Sequence, residues 1–556
     1  MIFFPSCFLL SALFAVFGSI KATSTNAPVA TLTGHGTFIG TVINQTITKQ
    51  PLPASVNAWL GIDYASQPIG ANRFTHVGPP KNLSGIQAAN EYGKICVQDP
   101  SSISYAQDEA CLNMNVYRTQ NISMSQKLPV LVWIHGGGFV SGSARSFDGA
   151  AFVASSKAPL VVVTFNYRVS ALGFLPSLLF QEKGLLNLGL TDQRRLLEFV
   201  QKYITNFGGD PDAVTLGGRS AGAHSTGIHY FHNYGTQQGH SLFARAIMQS
   251  GGVTARAFPN ASYALYQRQY AQFMNGIGCA EVNDTLDCLR AVNVSIIETV
   301  SSKLFTDSEY NITWPFQPTL GGALLEKPGS VSGIEGTFYK LPVITTSTTD
   351  EGKYYTPGDL ITNDQFLDYM HNISPGLNAT DIDLLDELYP DPVAYPETSP
   401  YINSPNSTQY NRVSAAWTDY GYVCPGQETA YRTSTANVPT WKLRFNTNNS
   451  FPAWQGIPHT SDTKYTWNAP DVQYPNNVSH ILHGYFASFV ATGNPNTLRW
   501  GNSPKWPNYH SGYGLNTTAG QQILISPNET KVEPDIIRRE QCLFWRDPLR
   551  ASRLNK

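Results

Sequence analysis

AVTLGGRSAGAHSTGIHYF, residues 213–231, is the stretch whose reading decides the fold. A short aliphatic run, AVTL, reads as a buried strand. AGAHSTGIHYF then opens as a helix, and between them stands Gly218-Arg219-Ser220-Ala221-Gly222. A G-x-S-x-G alone is a weak pattern in a chain with 46 glycines. Set between a strand and a helix, it becomes the sharp turn of a nucleophile elbow. The glycines are needed because the flanking backbone approaches too closely for a Cβ. Ser220 Oγ would then stand exposed at the strand's carboxyl end, with the helix N-terminus behind it.

Outward from the elbow the same grammar repeats. PVLVWIHGGG (129–138), PLVVVTFNYR (159–168), ARAIMQSGG (244–252), LPVITTSTTDEG (341–352) and VPTWKLRFN (438–446) are aliphatic runs bounded by turn residues. They do not alternate polar with apolar, as expected of strands covered on both faces. Helical periodicity lies between them, as in LTDQRRLLEFVQKYITNF (190–207). The alternation predicts an α/β fold with a large, mostly parallel central sheet and helices on both faces. Ligands then bind beyond the strands' carboxyl ends. No Pro- or Ser-rich linker interrupts the chain, so residues 23–556 read as one domain.

A serine nucleophile also needs donors for a developing oxyanion. His135-Gly136-Gly137-Gly138-Phe139 follows the strand VLVWI, and its glycines can turn N–H groups inward unobstructed. Gly137, Gly138 and the N–H of Ala221 make the expected oxyanion hole. The loop lacks the Lys-Ser/Thr of a phosphate-binding loop.

Composition narrows the class. The chain has 556 residues, with 37 Lys plus Arg against 39 Asp plus Glu, a net charge of -2. The absent basic excess argues against a nucleic-acid partner. Charged residues are only 14% and aromatics 12%, which excludes a disordered chain. Residues 1–22, with the apolar run IFFPSCFLLSALFAVFGSI (2–20), read as a secretory signal peptide cleaved between 18 and 22. No later run is apolar enough to span a membrane, so a secreted, extracellular protein without a stable membrane anchor is expected. Once Cys7 leaves with the signal, six cysteines remain, and they could pair in many ways. Their spacing suggests two local loops, Cys96–Cys111 and Cys279–Cys288, and a long tie, Cys424–Cys542. No Cys/His cluster with metal-ligand spacing competes, and neither a metal nor another cofactor is expected. Sequons stand at Asn44, Asn82, Asn121, Asn260, Asn283, Asn293, Asn311, Asn372, Asn378, Asn406, Asn448, Asn477, Asn516 and Asn528 and imply a glycosylated surface.

From about residue 30 to 548 the chain resembles the type-B carboxylesterase/lipase family, the cholinesterase-like α/β-hydrolases that include secreted fungal enzymes. The segments that carry the likeness include WLGIDYASQPIGANRF (59–74), HGGGF (135–139), FNYRVSALGFL (165–175), NLGLTDQR (187–194), GGRSAGA (217–223), DEG (350–352), GIPHTSD (456–462) and QCLFW (541–545), in the family's order. The resemblance implies an α/β-hydrolase fold and a triad of Ser220, Glu351 and His459. It also implies the disulfides suggested above and a supporting serine, Ser250, behind the acid. The residues agree: Glu351 follows the strand VITTST, and His459 follows TWKLRF, so both should reach Ser220's edge of the sheet. His224, His229 and His232 are rival histidines, read as packed or surface helix residues, and His480 and His483 as structural.

Two departures bear on substrate choice. Arg219 stands where the family usually has Glu. A guanidinium beside the nucleophile is costly if unpaired, so Asp462 is its expected partner; the alternative is recognition of a carboxylate on the ester. Second, the loop closed by Cys96 and Cys111, VQDPSSISYAQDEA, is short and poor in large apolar residues, unlike the amphipathic lid of the family's true lipases. The expected function is a secreted serine carboxylesterase acting on small-molecule carboxylic esters through an acyl-enzyme. The other readings are a triacylglycerol or sterol lipase, an acyltransferase or transesterase, and a non-catalytic binding protein.

Overall fold

The computed structural model describes residues 27–556 apart from 234–240, 283, 309–313, 449–450 and 469–476. Residues 1–22, read as the signal peptide, lie outside the described residues. The described strands are β1 (Val29–Leu32), β2 (Gly36–Ile39), β3 (Thr41–Gln45), β4 (Pro51–Asp63), β5 (Ile86–Ala88), β6 (Asn113–Thr119), β7 (Leu128–Ile134), β8 (Val161–Phe165), β9 (Gly209–Arg219), β10 (Arg245–Gln249), β11 (Val343–Thr348), β12 (Thr440–Phe445), β13 (Gln521–Ile525) and β14 (Thr530–Pro534). Among them, 11 join one mixed sheet in the order β14-β13-β12-β11-β10-β9-β7-β8-β6-β4-β3. From β8 through β7, β9, β10, β11 and β12 to β13 every pairing is parallel. These are the aliphatic runs of the sequence: β8 (VVVTF) and β11 (VITTST) are buried along their whole length.

The edges are antiparallel, which the sequence reading did not resolve. β13 pairs β14, and β6, β4 and β3 add the far side. β4 alternates buried and open positions over its first half, and β14 is largely exposed. An edge strand with one wet face carries the period-2 signal that a doubly covered strand lacks.

Helices cover both faces. The helix Leu188–Tyr203 buries Leu190, Leu196, Leu197 and Val200 on its core side. On the opposite face the helix Val478–Thr492 packs Leu482, Phe486 and Phe489 in a separate apolar cluster with Leu131, Trp441 and Phe445. Disulfides join Cys96 to Cys111, Cys279 to Cys288 and Cys424 to Cys542, as the spacing suggests. The last closes a separation of 118 residues and anchors a π-helical turn, Asp419–Val423. Such turns often mark functional sites, and this one points Tyr420 and Tyr422 toward the site described next.

Candidate active site

β9 ends at Arg219, and the chain turns at Ser220 with φ 57° and ψ −127° into the helix Ala221–Phe231. A non-glycine residue with positive φ is uncommon. Two glycines make it possible. A Cβ on Gly218 would collide with the Gly222 carbonyl, and one on Gly222 would collide with the carbonyl of Ile134 at the end of β7. The glycine loop after β7 folds against this turn, so that a Cβ on Gly136 would lie 2.7 Å from the Arg219 carbonyl oxygen. Gly137 and Gly138 both have positive φ, 110° and 65°. They line one cleft of about 390 Å³ together with Ser220, Arg219, Tyr355 and His459.

The acid and the base come from the next two strands. Glu351 follows β11 and is fully buried. Its Oε1 accepts the Thr348 N–H at 2.7 Å, and its Oε2 lies 2.5 Å from His459 Nδ1. With Nδ1 facing a carboxylate, Nδ1 carries the proton and Nε2 is left as the acceptor. Nε2 is buried and makes no hydrogen bond within the protein. Tyr422 lies against the imidazole at 4.6 Å between ring centroids and Tyr355 at 5.5 Å. Burial pushes the His459 pKa below its ordinary value; Glu351 opposes that shift, while Arg219 and Arg256 add to it. The ring is therefore neutral at neutral pH.

The structure thus brings Ser220, His459, Gly137 and Gly138 to one cleft, with Glu351 and Ala221 immediately behind it. Two supporting residues behave differently from expectation. Arg219 makes no ion pair with Asp462: its Nη1 donates to Thr463 Oγ1, one residue further along the loop. Asp462 is turned inward and accepts from Gln249 Nε2 at 2.8 Å. Burial, then the nearby Glu351 charge, pushes its pKa up to about 6, with Arg219 opposing. A carboxylate so placed prefers an amide donor at contact distance. Ser250 does not touch Glu351 either. Its Oγ has no hydrogen-bond partner, and the Thr348 N–H takes the place at Oε1.

The rival histidines have structural partners, although all three near the elbow are buried rather than on the surface. His224 Nδ1 faces the Gly252 N–H, His229 Nε2 faces Gln193 Oε1 and His232 Nδ1 lies 3.3 Å from Glu326. His483 Nδ1 faces the Thr466 carbonyl, and His480 stacks on Trp500.

The Cys96–Cys111 loop lends Asp99 and Ser102 to the cleft rim. It is pinned. Arg73 holds Glu109 with two hydrogen bonds of 2.6 and 2.7 Å, and Tyr105 lies under the Arg145 guanidinium. Sequence reasoning missed the opposite wall, where the helix Val294–Ser308 supplies Ser301, Ser302, Phe305 and Thr306, and Trp314 closes the end. The Tyr354-Tyr355 pair directly after Asp350-Glu351-Gly352 was the one available signal. Of the sequon asparagines, Asn448 is half-buried and donates its amide to the Gly456 carbonyl, Asn283 and Asn311 lie outside the described residues, and the rest are exposed.

A strand–elbow–helix serine, a glycine loop and a His–carboxylate pair on successive parallel strands define an α/β-hydrolase. Residues 26–545 match the carboxylesterase family, and the chain belongs to it. The chain is 59% identical over 530 residues to Secreted lipase 4 of Gibberella zeae, covering 94% of each protein. It is 29% identical to the acetylcholinesterase of Bungarus fasciatus, covering 89% of this chain and 83% of the snake protein. The crystal structure of Aspergillus niger EstA superimposes with a TM-score of 0.79 at 28% identity, over 93% of this chain and 98% of that one. The protein is a carboxylic ester hydrolase.

Proposed function

We propose that the protein hydrolyses soluble esters of small or medium size through an acyl-enzyme on Ser220. His459 Nε2 takes the Ser220 hydroxyl proton as Oγ bonds to the ester carbonyl carbon. The carbonyl oxygen becomes an oxyanion, held by the N–H groups of Gly137, Gly138 and Ala221. When the tetrahedral adduct collapses, the C–O bond to the alcohol breaks, and the alcohol leaves with the proton from His459. Water repeats the sequence, and the acid leaves as a carboxylate. Glu351 fixes the imidazole tautomer and offsets the imidazolium charge. The observation that carries this reading is the buried contact of His459 Nδ1 with Glu351 Oε2 at 2.5 Å, which leaves Nε2 free to accept.

The preference for soluble esters rests on the pinned, polar Cys96–Cys111 loop, which lacks the apolar face of a mobile lid. A lipase is the second reading, supported by the name of the Gibberella zeae relative and by the Val294–Ser308 helix beside the cleft. Rates on tributyrin, followed through its solubility limit, decide between them. A smooth rise supports the esterase, and a sharp jump at the interface supports the lipase. Secretion after cleavage near residues 18–22, a single catalytic domain and glycosylation at exposed sequons complete the proposal. Among the described residues no helix is long and apolar enough to cross a membrane.

A further inference from the structure

Behind the glycine loop lies a second, smaller cavity that the esterase mechanism does not use. Arg256 lines it with Trp314, Gln317, Trp417 and Tyr420. Arg256 is only 5% exposed, and neither Nη1 nor Nη2 has a hydrogen-bond partner. Its guanidinium carbon lies 3.2 Å from the Trp314 ring centroid. Buried charges are ordinarily paired, because an uncompensated one is strongly unfavourable. No acid among the described residues forms an ion pair with this one. The neighbourhood is cationic instead: Lys556 Nζ sits 3.8 Å from the Tyr420 ring that walls the same cavity. Trp314 also lines the main cleft, and a Cβ on Gly138 would lie 2.6 Å from its indole. Arg256 therefore stands one indole behind the expected oxyanion loop.

We infer that the Arg256 cavity is a binding site for a carboxylate. Two unsatisfied Nη groups on one planar guanidinium match a carboxylate's two oxygens side by side. The cavity, about 30 Å³, has room for about two water-sized groups, too little for a tetrahedral phosphate. Aromatic walls exclude competing water and favour a planar guest. The carboxylate has two possible sources. It is either a free small acid, the class of product that ester hydrolysis releases, or the far end of an ester's acyl chain that passes the edge of Trp314. The second source deepens the acyl-enzyme reading and rests on it; the first does not.

Two measurements test the site. In the first, thermal unfolding of the full chain is followed against sodium acetate at constant ionic strength, with acetamide as the neutral isostere. A ligand that binds only the folded state raises Tm saturably. Acetate should do so for the wild type and for Arg256→Lys but not for Arg256→Met, and acetamide should do so for none. In the second, kcat/KM for mono-p-nitrophenyl adipate is divided by that for its neutral methyl ester. If the acyl tail occupies the site, this ratio falls at least tenfold in Arg256→Met and partly recovers in Arg256→Lys. An Arg256-dependent acetate shift with an unchanged ratio assigns the site to free acids. An acetate response that is absent or survives Arg256→Met, together with an unchanged ratio, overturns the proposal. If the wild type hydrolyses neither ester, the Ser220 reading fails instead, and the acetate result still judges the site.

Discussion

The two walls of the cleft are built by different means. The front wall, the glycine loop and the elbow, is made of backbone, and its geometry is forced by contacts in which a single Cβ would collide. The back wall, with Tyr355, Trp417, Tyr422, Trp314 and Arg256, is made of side chains from segments more than a hundred residues apart. Aromatic packing and the Cys424–Cys542 bridge hold it together. Chemistry common to esterases needs the first wall, and discrimination among esters belongs to the second.

The largest effects break the chemistry that the two walls share. Ser220→Ala or His459→Ala should lower kcat by about 10⁴–10⁶-fold, leaving the residual rate of binding and the oxyanion hole. Steady-state turnover of p-nitrophenyl butyrate checks this. Next comes the back wall's covalent tie. Replacing Cys424 and Cys542 with Ser removes a long loop closure and should cost about 4–5 kcal/mol in the chain-entropy model, measured by urea unfolding. Peptide mapping without reduction should recover the three bridges. A smaller effect is expected at the seam. Gly138→Ala drives a Cβ toward Trp314 and shifts an oxyanion donor, for a loss of about 10²–10³ in kcat with little change in KM.

Legibility in the sequence follows the same division. The parallel strands were readable because continuous aliphatic runs mean burial on both faces, and the elbow because glycine is required where backbones touch. Glu351 and His459 were readable once each was placed just past a strand. The edge strands β3, β4 and β14 were not resolved, since half-exposed strands resemble ordinary polar sequence. The back wall was equally hidden: nothing local to Arg256 or Trp314 shows that they meet. The expected Arg219–Asp462 pair failed for a related reason. Charge complementarity ignored Gln249 on β10, whose amide already occupies Asp462.

The smallest predicted effect concerns pH. Protonated His459 cannot accept the Ser220 proton, so activity rises with pH through its pKa. Because burial lowers that pKa, the acid limb of kcat/KM should lie below the ordinary histidine value near 6.5. Arg219→Met removes a charge that depresses it, so the limb should move to higher pH; a limb that stays in place or moves down would contradict the assigned proximity. Glycopeptide mapping should find Asn448 the least occupied of the described sequons.

The most direct test of the central claim is covalent. Diethyl p-nitrophenyl phosphate transfers its diethylphosphoryl group to an activated serine and releases p-nitrophenolate. The account predicts one phosphoryl adduct per chain, located by mass spectrometry on Ser220, with inactivation in step with labelling and no adduct in Ser220→Ala. An adduct on another residue, or full activity in the quantitatively labelled protein, would contradict it.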